Sequence, residues 1–213
     1  MPPFILGLTG SIGMGKSATS AMLRDLNIPV LDCDRVVHDL YSADGAAGPL
    51  VEAAFPGVID PVIGGISRPL LSKLVVGNFE ALKHLESIVH PLVREEKKKF
   101  ITTTAAAATE EPGLVVLDIP LLYETGAEAD CDAVAVVSAP VDIQRARVLA
   151  RPGMTPEKLD NILQRQLPDI EKRKKADFVI DTGVSIEETR EHVEALVKAL
   201  KGRNGKAYLR YIE

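Results

Sequence analysis

Near its start the chain carries Phe4-Ile5-Leu6-Gly7-Leu8-Thr9, six positions without a charge. Comparable apolar runs recur at Leu114-Val115-Val116-Leu117-Asp118, at Ala133-Val134-Ala135-Val136-Val137 and at Phe178-Val179-Ile180, with a shorter one at Pro29-Val30-Leu31-Asp32. A strand with one wet face alternates apolar and polar positions. A run that is apolar throughout needs cover on both faces, which is the condition of a parallel sheet flanked by helices. Between these runs the spacing turns helical. Residues 17–26 read as a helix; Val36, Val37, Leu40 and Tyr41 share one face, Leu82, Leu85, Ile88 and Val89 another, and residues 186–201 form the closing helix. From Arg35 to about residue 108 no strong strand signal interrupts this pattern, although residues 58–65 read as a loop or a short extended piece. Pro91 ends or bends the helix that begins at Phe79, and the alanines and threonines of residues 102–109 read as a helix end. The pattern predicts an α/β fold, a doubly wound parallel sheet. A helical insertion follows its second strand and a helical excursion its fourth.

At 213 residues and 46% hydrophobic content the chain suits a single domain over 1–213, with the insertion at about 35–108 and the excursion, a lid, at about 145–175. No stretch approaches the roughly 18 unbroken apolar residues of a membrane span, and no charged leader precedes the first strand. Two cysteines, Cys33 and Cys131, lack metal-type spacing, so the expected setting is a reducing cytoplasm without a membrane partner. The net charge of −5 argues against general nucleic-acid binding. It is unevenly spread: residues 144–175 hold nine basic and four acidic residues, so that segment is +5 and the rest of the chain −10. Such asymmetry marks either a local site for a polyanion or a solvated helical face.

The most informative motif is Gly10-Ser11-Ile12-Gly13-Met14-Gly15-Lys16-Ser17, placed directly behind the first strand and ahead of the first helix. Glycines let backbone N–H groups turn inward and approach phosphate oxygens, where a Cβ would obstruct. Lys16 is then in position for the β- and γ-phosphates of a nucleotide triphosphate, Ser17 for Mg²⁺, and the helix for the anion at its positive N-terminus. The loop identifies a phosphate cradle of the P-loop NTPase type but not a reaction, since switches, pumps and kinases share it.

Asp32 and Asp34 flank Cys33 at the exit of the second strand, where alternation along extended backbone points both carboxylates one way. Asp34 either accepts the proton of an attacking alcohol during phosphoryl transfer or caps a helix beginning at Arg35. Asp118 ends an apolar run, as a Mg²⁺-holding carboxylate or as a strand-end residue bonded to a neighbouring turn. Arg147 and Arg151 are four apart on a predicted helix and so share a face from which to grip phosphate; Arg145 points away. His90 sits where Pro91 redirects the backbone, as a binding residue or a helix-end one. The stretch Asp181-Thr182-Gly183 is where an adenine pocket is sought.

Taken together, residues 8–17 with Leu31-Asp32-Cys33-Asp34 resemble the dephospho-coenzyme A kinase family. His90-Pro91-Leu92, Asp118-Ile119-Pro120-Leu121-Leu122-Tyr123-Glu124, Gln144 with Arg147 and Arg151, and Gln166, Pro168, Lys172, Ala176 and Asp177 extend the resemblance over residues 4–200. It implies ATP-dependent phosphorylation of the ribose 3′-hydroxyl of dephospho-coenzyme A, by a core, a helical acceptor-binding insertion and a lid. It implies that Gly13, Met14, Gly15, Lys16, Ser17 and Ala18 bind ATP, that Asp34 is the base, and that Arg147 and Arg151 are lid arginines. It places Thr9, His90 and Glu124 in motifs on the acceptor side. Met14 stands where the family commonly has serine, Ala18 where it has threonine, and Pro152 follows Arg151 where a polar residue is frequent. The competing readings are a nucleoside monophosphate or shikimate-type kinase and a GTPase-like switch. The switch is disfavoured because no Asn-Lys-x-Asp segment is present to read guanine.

Overall fold

The computed structural model describes residues 2–107 and 113–212. In chain order the elements are β1 (Phe4–Thr9), α1 (Lys16–Asp25), β2 (Val30–Asp32), α2 (Cys33–Leu40), α3 (Ala47–Ala54), α4 (Arg68–Val75), α5 (Phe79–Ala107), β3 (Leu114–Asp118), a 3₁₀ turn (Ala127–Asp130), β4 (Ala133–Ser138), α6 (Val141–Leu149), α7 (Pro156–Leu163), α8 (Asp169–Lys175), β5 (Phe178–Asp181), α9 (Ile186–Leu200) and α10 (Leu209–Ile212). The chain divides into two compact units, one from residues 1–31 with 101–213 and the other from residues 32–100.

The first unit is built on the five-stranded sheet, in the order β2-β3-β1-β4-β5. β1 pairs in parallel with β3 and β4, and β4 with β5. The unbroken apolar runs have the expected cause. On one face Leu6, Leu8, Val116, Ala135 and Val137 pack with Met22 and Leu23 of α1 and Val193, Leu196 and Leu200 of α9. On the other, Ile5, Val115, Leu117 and Val136 are fully buried and α8 lies on β4. Both α9 and α7 begin at side-chain caps: Ser185 and Glu188 form a reciprocal capping box, and the Thr155 hydroxyl accepts from the Lys158 N–H.

The C-terminal segment, featureless as sequence, is built in. The Asp132 carboxylate accepts from the Ile5 N–H of β1 at 2.8 Å and from the Lys206 and Ala207 N–H groups at 2.6 and 2.8 Å. Ala207 and Tyr211 are buried behind it.

The second unit has its own core of Leu40, Val51, Phe55, Val58, Ile66, Leu71, Val75, Leu85 and Val89. Residues 58–65, ambiguous in the sequence, form a tight turn closed by one antiparallel bridge, Ile59 with Ile66. The Glu52 carboxylate organises its approach by accepting the N–H groups of Gly57, Val58 and Ile59 at 2.7, 3.0 and 2.9 Å. Of the two expectations for Pro91, an end or a bend, the end is corrected. α5 runs 29 residues through it to Ala107, because a proline deletes one ladder bond and a long helix holds many. Residues 108 and 109, the end of the alanine and threonine stretch and of the expected insertion, lie outside the described residues. Among the described residues no helix is long and apolar enough to cross a membrane.

Candidate active site

The glycine loop joins the carboxyl end of β1 to the first turn of α1, the edge at which parallel sheets present ligands. Gly13 and Gly15 hold φ of +79° and +89°, a region that side chains rarely occupy. At Gly13 a Cβ would also press to 3.1 Å on the Gln144 carbonyl, and at Gly15 to 3.1 Å on the Thr182 hydroxyl. The loop is therefore shaped by what packs beneath it.

Met14 explains its own departure from serine. Its side chain is buried in the sheet core, where Sδ accepts the Ala139 N–H at 3.1 Å. Its N–H donates to the Ser11 carbonyl at 3.1 Å, and its carbonyl accepts the Thr182 hydroxyl at 2.7 Å. Ser17 and Ala18 are exposed in the first turn of α1.

Lys16 Nζ donates to Asp118 Oδ1 at the carboxyl end of β3, and the Ser20 hydroxyl donates to Asp118 Oδ2 at 2.6 Å. Asp118 is only 3% exposed, so both its oxygens are committed to groups of the loop and helix that follow β1. A carboxylate keeps further lone pairs after one bond per oxygen. The set of one exposed hydroxyl, Ser17, and one buried carboxylate, Asp118, suits Mg²⁺, which takes few protein ligands and keeps its remaining places for water and phosphate.

Arg147, in the last turn of α6, bridges to the β5 end: Nη2 donates to the Thr182 carbonyl at 2.6 Å and Nη1 to its hydroxyl at 3.4 Å. Thr182 thereby joins the loop, the end of β4 through Ser138, and the excursion. The shared helical face expected for Arg147 and Arg151 is corrected. α6 ends at Leu149, since Arg151 precedes Pro152 and is turned away from helical backbone, so Arg151 stands exposed in the turn that follows. Arg145 is not left to solvent but pairs with Asp160 of α7 at 3.0 Å.

Several basic residues of 144–175 have partners within the chain, although the Asp160 and Glu171 pairs are already counted in the segment's net charge. Besides Arg145 and Arg147, Lys174 pairs with Glu171, Lys175 lies 5.3 Å from the Tyr123 ring centroid, and Lys172 is wholly buried. Lys172 Nζ lies 2.9 Å from Glu124 Oε1, which also accepts the Leu167 N–H at 2.7 Å. Burial pushes the Glu124 carboxyl upward, but the Lys172 ammonium and the Leu167 N–H outweigh it and hold the group below the usual carboxylate range. Thr9, fully buried, donates its hydroxyl to the Pro120 carbonyl at 3.0 Å. Thr9 and Glu124 thus fasten the segment after β3 at both ends.

Asp34 and His90 belong to the second unit. Asp32 ends β2 and caps α2, its Oδ1 accepting the Arg35 N–H at 3.0 Å. The helix starts at Cys33, two residues earlier than the cap reading of Asp34 requires, so Asp34 lies within its first turn and is exposed. The alternation that would point Asp32 and Asp34 together is therefore lost, because residues two apart on a helix face apart. His90 is exposed on α5.

The family model described as Dephospho-CoA kinase matches residues 4–188. The Dephospho-CoA kinase of Mesorhizobium japonicum is 52% identical over 201 residues, 94% of this chain and 98% of its own. That of Novosphingobium aromaticivorans is also 52% identical, over 95% of this chain and 97% of its own. Among solved structures, TT1252 from Thermus thermophilus superposes with a TM-score of 0.78 at 35% identity, covering 95% of this chain and all of that one.

Proposed function

Because the chain belongs to the dephospho-CoA kinase family, we propose that it transfers the γ-phosphoryl group of ATP to the 3′-hydroxyl of the ribose of dephospho-coenzyme A, releasing ADP and coenzyme A. The observation that carries the reading beyond family likeness is the partly buried Lys16 to Asp118 contact at the glycine loop. It holds the one cation of that loop at the strand end where a triphosphate binds.

In this mechanism residues 13–18 take the phosphates of ATP, backbone N–H groups and the Lys16 ammonium neutralising their charge. Lys16 exchanges part of its bond to Asp118 for phosphate oxygen when ATP enters. Ser17 and Asp118 are the residues that would hold Mg²⁺, which would supply offsetting positive charge to the phosphates. Asp34 accepts the proton of the ribose 3′-hydroxyl while its oxygen forms a bond to the γ-phosphorus and the bond to the ADP oxygen breaks. Asp32, not Asp34, supplies the N-cap of α2. Arg147 and Arg151 neutralise the transferring phosphoryl group from the lid, at about 145–175, with Arg147 held near the loop by Thr182. His90 and Thr9, with Glu124, belong to the motifs of the acceptor side, and the insertion, about 35–108, receives dephospho-coenzyme A. The free thiols of Cys33 and Cys131 fit a cytoplasmic setting.

Steady-state kinetics on two variants test the assignment of roles. Asp34→Asn is expected to lower kcat by about 10²–10⁴ with the KM for ATP nearly unchanged, whereas Lys16→Ala loses productive ATP alignment. A kcat for Asp34→Asn within about threefold of wild type removes the residue from the chemistry.

A further inference from the structure

Ile12 lies in the middle of the glycine loop, and both of its backbone polar groups are taken by glutamine side chains. Its carbonyl accepts from Gln144 Nε2 at 2.7 Å, and its N–H donates to Gln166 Oε1 at 3.0 Å. A carbonyl takes only donors and an N–H only acceptors, so the sense of each bond is unambiguous: Gln144 must present its NH₂ and Gln166 its oxygen. Gln144 is 4% exposed and sits on α6, while Gln166 follows the end of α7. The excursion between them, residues 145–165, carries both Arg147 and Arg151. Each end of that excursion is therefore moored on the same loop residue. The packing agrees with the mooring, since Gly13 has no room for a Cβ against the Gln144 carbonyl and the Val148 side chain.

A loop that must present its amides to phosphate oxygens loses affinity for every conformation it can adopt besides the correct one. We propose that Gln144 and Gln166 are positioning residues that clamp Ile12, fix the first half of the phosphate loop for ATP, and tie the lid to it. This rests on the reading that residues 13–18 hold the phosphates of ATP. With the clamp in place, the lid pivots about a point inside the nucleotide site, and the loop's geometry and the lid's position change together.

The glutamines can be separated from mere structure by the direction of their hydrogen bonds. Gln144→Glu and Gln166→Glu add the same charge at the same residue of the loop and conserve size. A carboxylate at 166 still accepts the Ile12 N–H, whereas a carboxylate at 144 faces the Ile12 carbonyl with no donor. The expected result is a KM for ATP about tenfold or more higher in Gln144→Glu than in Gln166→Glu, with the KM for dephospho-coenzyme A within about twofold of wild type in both. Gln144→Met, which removes the donor without adding charge, shifts the ATP KM in the same direction. Should both position-144 variants fail to fold, Gln166→Leu, at a partly exposed position, decides: it is expected to raise the ATP KM by about tenfold at an unchanged melting temperature. Equal ATP KM values in the two glutamate variants, losses shared evenly between ATP and dephospho-coenzyme A, or a wild-type Gln166→Leu overturn the clamp. Lys16→Ala separates the two levels. If it retains wild-type kcat/KM, the loop reading itself fails; if it is inactive while the glutamate variants match, only the clamp does.

Discussion

Lys172 is a full charge taken out of water, and Glu124 is what makes that tolerable. Removing one member of a buried pair leaves the other uncompensated, which costs about 3–5 kcal/mol, more than the pair itself contributes. Glu124→Gln keeps an acceptor for the Leu167 N–H but abandons the Lys172 ammonium. We expect its melting temperature to fall by roughly 6–15 °C at neutral pH, read by calorimetry. The carboxyl is held below its ordinary value in the folded protein, so its contribution is complete above about pH 4.3 and is lost as pH falls through the depressed folded value. The gap between wild type and Glu124→Gln should accordingly be constant near neutrality and close in acid. A gap that instead widens toward acid contradicts the pairing. At this scale sequence reading named candidate residues and missed their connections. Lys172 stands in Lys172-Arg173-Lys174-Lys175, and nothing in that run distinguishes the one side chain that turns inward. The duties of Gln144 and Gln166 were equally hidden, because an amide bonded to a main-chain group leaves no pattern in composition or charge.

Elements were easier to read than their ends. Runs such as residues 114–118 and 133–137 call for burial on two faces, so the strands and their parallel pairing follow from apolar content, and the loop after β1 follows from its glycine spacing. Two helix ends did not follow. Pro91 read as an end or a bend, yet α5 continues because its packing through Leu85, Val89 and Ile101 outweighs one missing bond. α6 ends two residues short of Arg151, which the arginine spacing had placed on it, and Pro152 follows. The segment after α9 gave no signal because it is held through main-chain N–H groups of Lys206 and Ala207, which any residues could supply. The Asp132 carboxylate serves three amides across β1 and this segment. Asp132→Ala should leave those donors unmet, at about 1–3 kcal/mol for each that water cannot reach. We expect limited proteolysis to cut the variant near residues 203–208 well before wild type, with a lowered melting temperature. Equal cleavage rates would show that the segment is held by Ala207 and Tyr211 packing alone.

Over the whole molecule, the proposed roles are distributed over the two units. The sheet unit carries the glycine loop, Lys16, Asp118 and the arginines, the set proposed to neutralise phosphate. The unit of residues 32–100 has an independent core and carries Asp34 and His90. Family membership fixes the reaction class, and the loop's neighbours account for how ATP is held. The most direct test of the central claim is the product formed from ATP and dephospho-coenzyme A by the purified chain, followed by phosphorus NMR beside parallel reactions with AMP, CMP and shikimate. The account predicts one new phosphomonoester on the ribose 3′-oxygen, formed in step with ADP and only with dephospho-coenzyme A. Phosphorylation of AMP, CMP or shikimate with dephospho-coenzyme A untouched, or ATP hydrolysis indifferent to any acceptor, would contradict it.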